Sequence, residues 1–116
     1  MTATSLDPPA DLVTVDVSGS TGSVVVTATG EVDSSSAPVL RSCLDAVLDG
    51  AATEITIDLR GVTFLDSAGL CVLAAAHRRS SAADVRMRVL ASSRAVIRPL
   101  QITGLWALLH VEHVPS

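Results

Sequence analysis

Asp66 and Ser67 stand where an alternating strand pattern gives way to a helical one, in the run Asp58-Leu59-Arg60-Gly61-Val62-Thr63-Phe64-Leu65-Asp66-Ser67-Ala68-Gly69-Leu70. A hydroxyl on the first turn of a helix sits among backbone N–H groups that lack partners within the helix, at the positive end of its dipole. Negative charge is tolerated there. Asp and Ser also cap helices routinely, and that purely structural role stands beside the chemical one. Asp33 ends a second strand pattern just before a second helix start. Carboxyl ends of strands in α/β sheets converge on one rim, which would bring Asp33 close to Asp66. Such a carboxylate pair can hold a divalent cation, but little else in the sequence supports a metal site.

The residues that would make this turn an enzyme are missing. The histidines are His77, His110 and His113. As a base for Ser67, His77 would have to act across ten residues of helix, about 15 Å of rise. There is no G-x-S-x-G elbow, no G-x-x-x-x-G-K-[ST] loop and no G-x-G-x-x-G turn. All 8 basic residues are arginine, so Schiff-base chemistry and a phosphate-gripping lysine are excluded. Cys43 and Cys71 lack C-x-x-C spacing and read as buried free thiols. No catalytic residue, no metal ligand set and no cofactor is expected.

The 116 residues fit one domain, 48% apolar but only 2% aromatic, so the core must be built from Val, Leu, Ile and Ala. Net charge is −4, and only Arg78-Arg79 and the Arg86/Arg88 pair concentrate positive charge, which argues against nucleic-acid binding. No basic-then-apolar leader opens the chain and no apolar run reaches membrane-spanning length. A soluble, cytoplasmic protein without membrane insertion is expected.

The positioning elements follow from periodicity. Residues 1–11, with Pro8-Pro9, read as a flexible lead-in to a domain over 12–114. Leu12–Val17 and Val24–Thr29 form a hairpin about Ser18-Gly19-Ser20-Thr21-Gly22. Ser34, Ser35 and Ser36 are cap candidates for a helix carrying Leu40, Leu44, Val47 and Leu48 inward and ending at Gly50. Arg41, Asp45 and Asp49 fall on its solvated side. Ile55, Ile57 and Leu59 face inward from a strand whose polar face holds Asp58. The helix after Ser67 is apolar most of the way round and should be the most buried. Val85, Met87 and Val89 alternate with Arg86 and Arg88 in a further strand. Arg94–Thr103 suits a third helix capped by Ser92 or Ser93, which Pro99 should kink or delay. Leu108–Val114 reads as a last strand. The order predicts an α/β domain with a mixed β-sheet and helices mainly on one face.

Four ordered motifs resemble the STAS domains of anti-sigma factor antagonists: Gly30-Glu31-Val32-Asp33, Ile55-Thr56-Ile57-Asp58-Leu59, Phe64-Leu65-Asp66-Ser67-Ala68-Gly69-Leu70 and Thr103-Gly104-Leu105. The resemblance implies that Ser67 is phosphorylated and that Asp33, Ser34, Asp66, Ser67, Ala68 and Gly69 bind a partner. That partner would be an anti-sigma factor serine kinase, to which ATP and magnesium belong, and a phosphatase would reverse the modification. The protein would then regulate sigma-factor-dependent transcription by partner switching. Ala68 stands where a second serine is common in the family, and the end at Ser116 leaves little room for a terminal helix. Non-switching STAS scaffold subunits, as on lipid-transport ATPases or in stress-signalling complexes, and modules binding a small anion or nucleotide remain alternatives.

Overall fold

The computed structural model describes residues 13–20 and 22–115; the lead-in expected over 1–11 lies outside them. Strands β1 (Val13–Gly19) and β2 (Ser23–Val32) form the expected antiparallel hairpin, closed by Ser20 N donating to Ser23 O at 2.9 Å. Gly19 has φ 107°, and a Cβ there would stand 2.4 Å from Ser23 O, so the turn requires glycine.

The strands β3 (Glu54–Leu65), β4 (Arg86–Ala91) and β5 (Val111–His113) then add in chain order, each parallel to the one before. The crossovers are α1 (Ala37–Leu48), α2 (Ser67–Ala82) and the pair α3 (Arg94–Ile102) and α4 (Leu105–Leu108). Right-handed crossovers between successive neighbours keep their helices on one side of the sheet. Val26, Ile55, Ile57 and Val89 of the sheet join Leu40, Leu44 and Leu73 of the helices in one core. The other face runs through Asp16, Thr27, Asp58, Leu90 and Glu112 in register, with Thr56 beside Arg88. It is the wet, arginine-bearing face, and Arg88 Nη2 meets Glu112 Oε2 on it at 3.1 Å.

Several expectations need correction. Asp58 lies on the polar face as expected but is only 7% exposed, because Arg60 covers it with Nε to Oδ1 at 3.0 Å and Nη2 to Oδ2 at 2.8 Å. A register irregularity between Asp58 and Gly61 breaks the alternation at Arg60, whose N also donates to Asp58 Oδ1 at 3.0 Å and whose fork reaches both carboxylate oxygens. The guanidinium holds the Asp58 carboxyl below its ordinary range. Helix α2 is the most buried helix, as expected, but it buries one stripe, Gly69, Val72, Leu73, Ala76 and Ser80, and not its whole circumference. Cys71 is consequently exposed and Cys43 half-buried. Arg79 of α2 clamps Asp45 (2.9 Å) and Asp49 (2.6 Å) of α1, so those two acids tie helix to helix.

Helix α3 starts on schedule at Arg94 and runs through Pro99. The missing N–H falls three residues before the helix ends, where Thr103 N and Oγ still donate to Pro99 O. The last strand is shorter than predicted. Gly104, left-handed at φ 80°, opens the one-turn α4, and His110 at φ 54° delays extension until Val111.

Two residues give measurable consequences. Gly→Ala in a helix normally gains about 1 kcal/mol from propensity. At Gly69, however, a Cβ would stand 2.4 Å from Leu65 Cδ1 and 2.9 Å from Val32 Cγ1, both on buried side chains. Overpacking outweighs propensity, and we expect Gly69→Ala to lose about 1–2 kcal/mol in urea unfolding. Asp58, with its pKa lowered on folding, contributes stability above the ordinary carboxylate pKa and loses it as pH falls through the folded value. Asp58→Asn should lower the urea midpoint at pH 7, and the gap from wild type should close below about pH 4.

Candidate functional site

The site grows from the ends of β2 and β3. Val32 and Leu65 are register partners in parallel strands, and Asp66 N donates to Val32 O at 3.2 Å. Asp33 and Asp66 are the next residues on each chain, so they stand about one strand spacing apart, about 4.8 Å. The two turns therefore leave the sheet side by side, each with its carboxylate folded back onto its own backbone.

The two turns use their carboxylates alike. Asp66 caps α2, with Oδ1 accepting from Ala68 N at 2.9 Å and Gly69 N at 3.4 Å. Asp33 Oδ1 accepts from Ser35 N at 2.9 Å, Ser35 Oγ at 2.7 Å and Ser36 N at 3.1 Å. The Ser35 hydroxyl, followed by backbone donors, draws the Asp33 carboxyl below its usual range, so it is ionised at neutral pH. The serines expected to cap α1 do not do so. Ser36, at the cap position, is fully buried, with Oγ donating to Glu31 O at 2.7 Å and accepting from Asp33 N at 2.9 Å.

Ser67 is the first residue of α2 and is exposed. Asp66 alone does the capping, and among the described residues the Ser67 hydroxyl has no hydrogen-bond partner. The cap reading thus belongs to the aspartate and not to the serine. Ala68 is half-buried beside it and Ser34 is exposed. Gly69, expected on the partner surface, is buried between Leu65 and Val32 and supports the turn from beneath. Its motif position reflects close packing.

Ser34 and Ala68 share a shallow groove of about 410 Å³ between the starts of α1 and α2, with Pro38, Arg41 and Cys71 on its walls. Those three carry no motif, and only the packing of α1 on α2 brings Pro38 and Arg41 to the same groove as Ala68 and Cys71. Phe64 was also missed as a surface residue. It is 46% exposed although Val62 and Leu65 are buried, because an irregularity in the β2–β3 register after Gly30 breaks the alternation. Among the described residues no group of three or more His, Cys, Asp or Glu comes together, and no helix is long and apolar enough to cross a membrane. His77 lies ten residues into α2 from Ser67.

The fold recurs in known proteins. The model of the STAS domain matches residues 14–114. The chain is 34% identical over 95 residues to the anti-sigma-F factor antagonist RsfB of Mycobacterium tuberculosis, covering 82% of this chain and 77% of that protein. An anti-sigma factor antagonist from Mycobacterium paratuberculosis superposes with TM-score 0.83 at 32% identity, over 92% of this chain and 89% of the other. The Bacillus cell fate determinant SpoIIAA in its phosphorylated form shares the fold, with TM-score 0.70 at 21% identity over 89% and 93% of the two chains. These relatives are regulatory proteins and not enzymes. By the match over residues 14–114 and the 34% identity, the chain belongs to the STAS domain family of anti-sigma factor antagonists.

Proposed function

We propose that the chain binds an anti-sigma factor serine kinase through the rim formed by Asp33, Ser34, Asp66, Ser67 and Ala68, and that phosphorylation of Ser67 ends the complex. The observation that carries this reading is the division of roles at the turn: Asp66 caps α2, leaving the Ser67 hydroxyl exposed and free of other duties. The kinase supplies ATP and magnesium, and this chain is its substrate. Freed of its anti-sigma factor while the complex lasts, the sigma factor directs transcription; a phosphatase acting on phospho-Ser67 resets the switch. The setting of such a cycle is the cytoplasm.

The electrostatics of the added group support a switch. A phosphate brings about −1.5 to −2 charges. The nearest helix N–H groups, Ala68 and Gly69, are already taken by Asp66 Oδ1. The new anion therefore joins Asp33, Asp66 and Glu31 on one rim with little local compensation, and a partner surface matched to the unmodified rim is repelled. The fold tolerates the group because Ser67 points outward at a helix start. Phe64, exposed two residues before Asp66, supplies an apolar anchor of the kind that dominates small interfaces.

Incubation with the cognate kinase and ATP should place one phosphate on Ser67 by mass spectrometry, and Ser67→Ala should take none. By calorimetry Ser67→Glu should bind the unloaded kinase at least about tenfold more weakly than wild type, and the phosphorylated chain about a hundredfold or more. Unchanged binding of both would overturn the switch and leave a non-switching scaffold. Phe64→Ala, which removes no buried contact of the core, should weaken the complex by about tenfold while its unfolding midpoint stays within error of wild type.

A further inference from the structure

A second feature opens on the same end of the sheet. Across the rim from Asp33 and Ser67, a groove of about 580 Å³ runs between α3 and the end of β5, with Arg94, Arg98, Gln101 and His113 on its walls and Ile97 and Ile102 among them. Arg94 and Arg98 are one helical turn apart and so share a face of α3. Four of the eight arginines, Arg41, Arg60, Arg79 and Arg88, are engaged in ion pairs among the described residues; Arg94 and Arg98 are not. In a chain of net charge −4 this is a local concentration of unpaired positive charge.

The groove is not purely polar. Ile102 is 76% exposed, the most exposed large apolar side chain of the described residues, and Leu108 of the adjoining α4 is 50% exposed. Paired guanidinium groups beside exposed aliphatic surface suit an extended segment that is both acidic and apolar. A small anion would use the arginines only, would ignore Ile102, and would gain little from cations so open to water.

Position connects this groove to the partner already proposed. The parallel strands β3, β4 and β5 run in the same direction; β4 and β5 end level at Ala91 and His113, one residue past the Asp58–Leu90 pair, and β3 continues beyond them to Leu65. From the Ser67 turn to the end of β5 is two strand spacings across the sheet and about six residues along it, about 20 Å in all. A protein docked at Ser67 spans that distance within a standard interface. The rim is thus bipolar, acidic at Glu31, Asp33 and Asp66 and basic at Arg94 and Arg98.

We infer that the α3–β5 groove is a second docking site, in which an acidic, partly apolar segment of the same partner seats against Arg94, Arg98 and Ile102. The inference rests on the kinase-binding reading above for the identity of the partner but not for the chemistry of the groove. Because the groove is set apart from Ser67, its contact persists when the serine is phosphorylated. It adds affinity and partner selection, while the Ser67 rim does the switching.

The test is a titration of the isotope-labelled chain with an acetylated Glu-Leu-Glu-Glu-Leu-Glu peptide, its Gln-for-Glu counterpart and inorganic phosphate, followed by amide shifts. The Glu-Leu peptide should move Arg94–Ile102 and His113, at least about tenfold more tightly than either control. Arg94→Gln/Arg98→Gln, both at exposed positions, should abolish that binding with the unfolding midpoint unchanged; Ser67→Glu should leave it intact. Equal shifts with phosphate would reassign the groove to small anions, and no shift with any probe would make it plain solvated surface; either overturns the proposal. The same double variant should weaken the cognate kinase complex by about tenfold, equally for the unmodified and phosphorylated chain. Peptide binding without that loss would remove the link to this partner. Kinase binding that is insensitive to Ser67→Glu but falls with the double variant would sink the switch and leave the groove standing.

Discussion

Everything at the rim depends on the parallel pairing of β2 and β3 being kept to their last residues. Val32 opposite Leu65 puts the two departing turns side by side, and Asp66 N donating to Val32 O carries the ladder one step further. Helix α2 can begin there only if its first turn lies directly on those two side chains. Gly69 makes this possible, since any Cβ would enter the space that Leu65 and Val32 fill. The distance between the acidic turns is therefore a property of sheet register and core packing, two of the least deformable features of a fold.

On this rigid base the turns separate structural from chemical work. Both aspartates accept backbone N–H groups that a helix start or tight turn leaves unpaired. The flanking serines diverge. Ser36 is drawn inside and spent on Glu31 O, whereas Ser67, given nothing to bond, faces water. A modification at Ser36 would have to break the turn, while one at Ser67 changes only the surface.

The cations follow a similar logic. Arg60 is committed to Asp58 and Arg88 to Glu112 on the open face of the sheet, and Arg79 joins α1 to α2 through Asp45 and Asp49. The first pair lies within one strand, the second holds strand to strand, and the third holds helix to helix. What they leave uncommitted on α3 gives the rim its basic end, so the molecule presents opposite charges along one edge despite a modest net charge.

Much of this was legible in the residues. The periodicities of the hairpin, of α1 and of α2, and the stop at Gly50, are local signals, because a side chain's face is set by its own backbone period. The motif around Asp66 and Ser67 located the turn and, by resemblance, its function. Other features depended on neighbours distant in sequence. The irregular β2–β3 register that exposes Phe64 leaves no local mark, because it arises from pairing with another strand. The burial of Asp58, the exposure of Cys71 and the basic groove of α3 were decided by which surfaces the sheet and α1 cover. The sequence alone determined that a serine and a carboxylate open a helix together. Only the tertiary structure decided which of them caps it: once α2 is docked on Val32 and Leu65, one carboxylate oxygen reaches both free N–H groups and the hydroxyl is left to the solvent.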